Sequence, residues 1–169
     1  NITSVSGRVA NNSGGTLSDV DVVIKSENGE YTKAVKTSAS GQYSFNTLTP
    51  NRGYEVAAAS NKDILNGVST LDLVMIQRHI LGITTFDQAT KIIAADADNN
   101  EKITAADLVS LRKLILGITV DLPNGQHSYR FVAADHTFDN PQSPFPFKET
   151  HKYANLTSAK SNQNFIPVK

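Results

Sequence analysis

The chain contains no cysteine and no tryptophan among its 169 residues. Without cysteine it has no disulfide framework, no thiolate metal site and no cysteine nucleophile. Neither sign of charge is in excess, because 16 Lys and Arg balance 16 Asp and Glu, and this argues against a protein that binds nucleic-acid backbones. No apolar run approaches the roughly 18 residues that cross a bilayer. The sequence begins at Asn1 without a signal-peptide pattern, and we interpret it as a mature or excised piece.

Sequence patterns of common catalytic sites are also missing. The chain has no Gly-rich phosphate loop, no nucleophile elbow and no helix with two zinc-binding histidines. We therefore expect a protein without enzymatic activity and without catalytic residues.

Residues 1–59 carry apolar side chains at alternate positions in three short runs. The runs are Val20–Ile24, Tyr43–Phe45 and Tyr54–Val56, and Gly, Asn and Ser turns separate them. Alternation of this kind is typical of short antiparallel strands that bury one face. We therefore predict a small β-sandwich over residues 1–59.

Residues 60–119 follow a helical period instead. Apolar residues recur at spacings of three and four in two stretches, which are Leu73, Ile76 and Ile80 in the first and Leu108, Leu111 and Ile115 in the second. The spacing predicts two amphipathic helices. Gly82 and Gly117 follow them, where a left-handed residue ends a helix.

The two helices belong to an internal repeat. Residues 61–84 align with residues 96–119 without a gap, at an offset of 35, and both copies end in Ile-Leu-Gly-Ile-Thr. One such helix cannot bury its apolar face alone, so the repeat predicts a pseudo-symmetric pair.

The loop of the second copy has oxygen-bearing side chains at the spacing of an EF-hand calcium loop. Counting Asp96 as position 1, positions 1, 3, 5, 9 and 12 are Asp96, Asp98, Asn100, Thr104 and Asp107, and Lys102 at position 7 offers a backbone carbonyl. Calcium requires six to eight hard oxygen ligands. We therefore predict a calcium site in this loop.

Two features of this loop depart from the EF-hand pattern. Glu101 stands where glycine is usual, and position 12 is Asp rather than Glu. Alternatively, Thr104 and Asp107 form only a capping box at the start of the helix. Capping leaves the three upstream oxygen residues unexplained, and carboxylates held close together repel each other without a cation.

The loop of the first copy is a weaker candidate. Its corresponding positions are Asn61, Asp63, Leu65, Gly67, Ser69 and Asp72. Leu65 cannot bind a metal through its side chain, so this loop needs a backbone or water oxygen, or stays empty. We expect one calcium ion and leave open a second.

The duplicated loop and helix, with Asp at the last loop position and the ending Ile-Leu-Gly-Ile, resemble a type I dockerin over residues 61–119. The resemblance implies two calcium loop–helix units and a cohesin partner. It places partner contacts at positions 10, 11, 17 and 18 of each unit, which are Thr70, Leu71, Gln77, Arg78, Ala105, Ala106, Arg112 and Lys113. Alternatively, Arg78 and Lys113 are ordinary solvated residues.

The first segment resembles a carboxypeptidase-regulatory or CNA-B-like repeat. The residues that carry this resemblance are Val5–Val9, Val20–Ile24, Ser40–Phe45 and Tyr54–Val56. It implies an Ig-like or transthyretin-like sandwich that acts as a stalk or spacer. The order of the segments is similar to that of secreted or cell-surface bacterial proteins of the Bacteroidetes type.

Residues 120–169 hold seven of the twelve aromatic residues and five of the six prolines. Aromatic rings contribute most when they are buried, and Pro-stiffened chain loses less entropy on ordering. We therefore predict an irregular, partly β extension that packs on residues 60–119.

These observations predict a multidomain α and β chain, with a β-sandwich over 1–59, a dockerin-like calcium module over 60–119 and an extension over 120–169. The expected function is that of a calcium-stabilised structural or adhesive module. A repeating unit of a stalk or filament is one form that such a module can take. A true dockerin that docks a cohesin is the first alternative. A carbohydrate-binding module is the second, although the absence of Trp favours buried rather than exposed rings.

Overall fold

The computed structural model describes residues 2–169 and divides into two compact units. The first unit comprises residues 2–60, 131–136 and 148–167, and the second comprises 61–130, 137–147 and 168–169. Both units are therefore discontinuous in sequence. Among the described residues, no helix has the length and apolar character needed to cross a bilayer.

The fold is mixed α and β. In chain order, the strands and helices are β1 (Thr3–Arg8), β2 (Asp21–Ser26), β3 (Thr32–Lys36), β4 (Gln42–Leu48), β5 (Tyr54–Ala59), α1 (Thr70–Ile80), α2 (Ala89–Ala95), α3 (Ala105–Ile115), β6 (Arg130–Ala133), β7 (Thr150–Tyr153) and β8 (Phe165–Val168). Strands β1 and β4 form one sheet, β3-β2-β5-β7 form a second in that order, and β6 pairs with β8.

The core of the first unit is built from the alternating apolar residues. Val22, Ile24, Phe45 and Val56 have no exposed surface, and their polar neighbours on the same strands point away. The predicted strands at these runs are therefore confirmed. The assignment of this unit to the carboxypeptidase-regulatory or CNA-B-like family stays a prediction.

Two strands of the four-stranded sheet were not predicted. Strand β3 is mostly exposed and lies at the sheet edge, so it lacks an apolar alternation. Strand β7 pairs antiparallel with β5, and His151 lies opposite Val56. Its sequence, Thr-His-Lys-Tyr, has no apolar period because only His151 is buried.

The C-terminal extension is divided between the two units. Residues 120–130, 137–147 and 168–169 belong to the second unit, while the rest, including β7, belongs to the first. This differs from the expected packing of residues 120–169 as a whole on 60–119. The free edge of β5 accounts for the difference, since its backbone groups find their partners in β7.

In the second unit, α1 and α3 end as the sequence predicts. Gly82 and Gly117 both have φ of 68°. The Ile83 amide donates to the Arg78 carbonyl at 2.9 Å, and the Ile118 amide makes the equivalent bond in the second copy at 2.9 Å. Both ends are Schellman motifs, which satisfy the last carbonyl groups of a helix.

The core of the second unit lies between the repeated helices. Ile76 of α1 and Leu111 of α3 are buried with Ala95 and Ala97, and the equivalent pair Leu73 and Leu108 packs at the side. Helix α2 was not predicted from the sequence. It buries Ile92 and Ile93 and ends directly before the candidate metal loop.

Candidate functional site

The second loop connects the end of α2 to the start of α3. Asp96 is the last residue associated with α2, and Thr104 is the N-cap of α3. Asn99 and Glu101 both take left-handed backbone conformations, with φ of 57° and 65°. Glu101 therefore adopts the conformation for which EF-hand loops commonly use glycine, and the loop closes despite this departure.

The loop brings three carboxylates together. Asp96, Asp98 and Asp107 each offer one oxygen atom, and these atoms lie within 4.8 Å of one another. Asp96 is 1% exposed and Asp107 is fully buried. The predicted ligands at positions 1, 3 and 12 therefore form a single cluster, in which Asp96 and Asp107 are buried and Asp98 is half-buried.

Asp107 connects this loop to the helix that follows. Its Oδ1 accepts hydrogen bonds from the amides of Ala97 at 2.8 Å and Asp98 at 3.2 Å. Its Oδ2 accepts from the Thr104 amide at 2.7 Å, which completes the capping box of α3. The capping role and the place in the acidic cluster belong to the same carboxylate, so the two interpretations of the sequence do not exclude each other.

Asp96 is fixed by the backbone of its own loop. Its two carboxylate oxygens accept from the amides of Asn100 at 3.0 Å and Glu101 at 3.1 Å. Burial raises the pKa of Asp96, while these bonds and the nearby Arg130 oppose the rise. Burial also raises the pKa of Asp107, again against the amides that bind it. Both directions follow from the burial of the two side chains, which are 1% and 0% exposed.

The donor set of the second loop fits a hard divalent cation. Asp98 Oδ1 is buried and has no hydrogen-bond partner, whereas the other oxygen accepts from the Asn100 side chain at 2.9 Å. A buried carboxylate oxygen without a partner is costly unless a cation completes it. Asp96, Asp98 and Asp107 would hold the ion, with Asn100 beside them.

The other two predicted ligands of this loop have different surroundings. The Thr104 hydroxyl accepts from the Ala106 amide at 3.2 Å and so caps α3. Lys102 is exposed, and its amide donates to Asn100 Oδ1 at 2.9 Å. Their participation in a metal site stays a prediction.

The first loop has a different backbone and different contacts. Its left-handed residues are Asp63 and Gly67, which are not the equivalents of Asn99 and Glu101. Asn61 Oδ1 accepts from the Ser128 amide at 2.9 Å, away from a ligand role. Leu65, at the fifth position, is exposed.

The two acidic residues of the first loop make different contacts, one through its side chain and one through its backbone. Asp72 Oδ2 accepts from the Ser69 amide at 2.7 Å and caps α1. The Lys169 ammonium group donates to the backbone carbonyl of Asp63. Among the described residues, a cluster of three acidic side chains is found in the second loop but not in the first, and the number of ions stays a prediction.

Comparison with known proteins supports the interpretation of the helical segment. The family model of the dockerin type I domain matches residues 65–116. This segment is similar to a dockerin. No curated protein matches the chain. The matched stretch, hereafter the dockerin-like segment, contains α1, α2, the second loop and α3, and dockerin domains bind calcium.

The predicted partner contacts on the dockerin-like segment lie at its surface. All eight are exposed, namely Thr70, Leu71, Gln77, Arg78, Ala105, Ala106, Arg112 and Lys113. The Arg78 guanidinium donates to the Thr84 hydroxyl at 3.0 Å. Exposure fits partner binding and solvation equally, so their role stays a prediction.

Apolar residues at equivalent positions of the two copies are also exposed. Three pairs share this property, Val74 with Val109 (50% and 48% exposed), Leu81 with Leu116 (63% and 65%) and Ile83 with Ile118 (63% and 66%). We call these six residues the outer apolar set. Val74 and Val109 lie within α1 and α3, and the other four residues lie at or just beyond the ends of these helices.

One residue near the metal loop could not be found from the sequence. Arg130 Nη1 lies 3.5 Å from Asp96 Oδ2, although Arg130 lies outside the repeat and outside the dockerin-like segment. No spacing rule connects the two residues, because their proximity depends on how the chain returns to this unit.

Proposed function

We propose that the chain is a non-enzymatic module of a secreted or cell-surface protein, and that its dockerin-like segment is a calcium-stabilised docking site for another protein. The exposed outer apolar set is the observation that carries this proposal. Apolar side chains exposed singly at unrelated positions are ordinary, and exposed apolar surface beyond that favours an interaction site. Here the exposure recurs at the same three positions of both copies.

The aromatic extension does not cover this surface. Phe138, Phe145 and Phe147 pack on one another, with ring centroids 5.9 Å and 6.4 Å apart for the two contacts that Phe147 makes. The outer apolar set stays about half exposed or more in the complete chain. The extension packs in part within the second unit but leaves the outer apolar set exposed, which favours docking in trans.

The similarity to dockerins supports a cohesin-like domain as the partner. A neighbouring module or a second copy of the chain would cover the same surface if the protein were a stalk or filament unit. A carbohydrate-binding role has less support, since no large aromatic residue is among the exposed apolar side chains of the described residues. Sugar-binding platforms need exposed rings.

The docking proposal predicts that charge on the outer apolar set abolishes binding. The variant V74E/V109E places two carboxylates at equivalent positions of α1 and α3, where a partner would desolvate them. We expect at least about a tenfold loss of affinity for an immobilised type I cohesin domain, measured in calcium, because burying an unpaired charge costs well over 1.4 kcal/mol.

The matched control is Q142E/S143E, which adds the same two charges to an exposed loop of the same unit. It should bind the cohesin domain as the wild type does. A different result would support the stalk or filament alternative. In that case the wild-type chain does not bind the cohesin domain but self-associates, and V74E/V109E abolishes the self-association. If the wild type neither binds the cohesin domain nor self-associates, the docking proposal is wrong.

A further inference from the structure

Arg130 supplies a buried positive charge to the acidic cluster from outside the dockerin-like segment. Its Nη1 atom lies 3.5 Å from Asp96 Oδ2, and the side chains are only 11% and 0% exposed. Ion pairs at the surface contribute little to the stability of a fold, but two charges that are shielded from water interact much more strongly. The position of Arg130 can therefore influence what the cluster binds.

Aromatic rings hold the guanidinium group in this position. Its central carbon lies 4.7 Å from the centroid of the Phe147 ring and 5.8 Å from that of Phe145. Arginine stacks on ring faces through its planar, delocalised charge, and such stacking is stronger where water is excluded. Arg130, Phe145 and Phe147 all belong to the second unit, as does Asp96.

The charges of the cluster do not balance without Arg130. Asp96, Asp98 and Asp107 contribute three negative charges when ionised, and a calcium ion would neutralise two of them. Arg130 supplies the remaining positive charge. The structure places the Arg130 guanidinium beside Asp96, where it can offset this charge.

We propose that Arg130 is a positioning residue that acts as a fixed counter-charge for the second metal loop, so that it stabilises the calcium-free loop and lowers the affinity of the loop for calcium. The proposal rests on the calcium site of the proposed function. It adds that residues beyond the dockerin-like segment set the calcium concentration at which the site fills.

The sign of the effect follows from Coulomb's law and a thermodynamic cycle. A fixed positive charge repels an incoming divalent cation, and it also relieves repulsion among the carboxylates before the cation arrives. Removing it should destabilise the calcium-free fold more than the calcium-bound fold. Because the cycle must close, calcium binding to the folded protein then becomes tighter.

A purely structural role for Arg130 predicts the opposite result. If Arg130 only holds Asp96 in place, its removal releases a ligand at the first loop position, and calcium binding becomes weaker. The direction of the change in affinity therefore separates the two roles.

The test uses the full chain with R130Q, which removes the charge and keeps a polar, shorter side chain. We expect the dissociation constant for calcium, measured by competition with a chelator dye, to fall by about five- to tenfold. This is the size expected when a unit positive charge, partly screened by its surroundings, no longer repels a divalent ion. The melting temperature should fall in chelator and change much less in saturating calcium.

Two further variants accompany R130Q. K91Q removes one positive charge at an exposed position of α2, and it should alter the calcium affinity by less than about twofold, because solvent screens exposed charges. R130K keeps a cation without the planar stacking group, so its calcium affinity should lie between those of the wild type and R130Q, even if R130Q fails to fold in chelator. An R130K variant that binds calcium more tightly than R130Q would overturn the proposal.

The outcomes also separate this inference from the calcium site itself. If the wild-type chain shows no calcium binding and no calcium-dependent melting, the metal site is wrong and the role of Arg130 falls with it. If the wild type binds calcium but R130Q binds it equally or more weakly, the counter-charge role alone is wrong.

Discussion

Asp107 shows how one side chain can join a metal loop to a helix. It is fully buried, and three backbone amides donate to its two oxygens. Its counterpart in the first copy, Asp72, is half-buried, and the Ser69 amide and hydroxyl donate to one of its oxygens. The same sequence position therefore has a larger structural role in the second copy.

We predict that D107A is more destabilising than D72A. Loss of the capping interaction at Asp72 should lower the free energy of unfolding by about 1 kcal/mol. Loss of Asp107 also leaves the buried Ala97 amide without its acceptor, so we expect a decrease of about 3 kcal/mol or more. Urea denaturation in saturating calcium measures both values. Equal losses, or a larger loss for D72A, would contradict the ranking of the two loops.

The residues that could be predicted from sequence are those whose partners are close along the chain. Asp96, Asp98 and Asp107 lie within one twelve-residue loop, so their spacing alone places their oxygens together. Arg130 meets Asp96 only through the path of the chain after α3, and that path leaves no periodic signal. At Glu101 the sequence departs from the EF-hand pattern, yet the structure keeps the turn. Glu101 takes the left-handed conformation for which the pattern uses glycine.

The helix ends depend on two glycines in a left-handed conformation. A Cβ atom built at Gly82 or Gly117 would meet no atom within 4 Å. Substitution there is therefore opposed by backbone conformation and not by a steric clash with neighbouring groups.

We predict that G82A and G117A each lower the free energy of unfolding by about 1 kcal/mol, since alanine is strained at φ of 68°. The matched variants G82N and G117N should lose less, because asparagine tolerates this conformation better. Urea denaturation of the full-length variants measures the free energy of unfolding for this comparison. Alanine and asparagine variants of equal stability would show that these helix ends form in another way.

Among the helices and strands, the pattern of burial determined which could be predicted from the sequence. Helices α1 and α3 each bury one stripe, and their period is clear. Helix α2 spans only seven residues and buries four of them, so it offers too few turns for a period to emerge. Strand β7 was hidden because its pairing with β5 uses backbone groups, which carry no side-chain signature.

For the second unit as a whole, the dockerin-like segment is not the complete folding unit. Leu122 packs against the Ile76 and Leu111 cluster, and the Ser128 amide donates to Asn61. These residues come from the chain beyond α3. The composition of residues 120–169 indicated that the extension is packed, but not how it is shared between units.

We predict that residues 61–120 expressed alone melt about 10 °C below the second unit of the full chain, even in saturating calcium. The loss of Leu122 packing and of the Ser128 hydrogen bond removes about 2 kcal/mol, and 1 kcal/mol shifts the melting temperature of so small a unit by several degrees. Differential scanning calorimetry measures the difference. The longer piece 61–130 restores both contacts and should recover most of the loss, and an unchanged melting temperature for 61–120 would contradict this prediction.

During synthesis, β5 leaves the ribosome long before β7 does. β5 ends at Ala59 and β7 begins at Thr150, so at typical elongation rates the wait is about 5 to 20 s. Throughout this time one edge of β5 presents unpaired amide and carbonyl groups, which can pair with another nascent chain. The interval between the two strands, and not the stability of the finished sheet, therefore determines how long newly made chains are prone to aggregate through this edge.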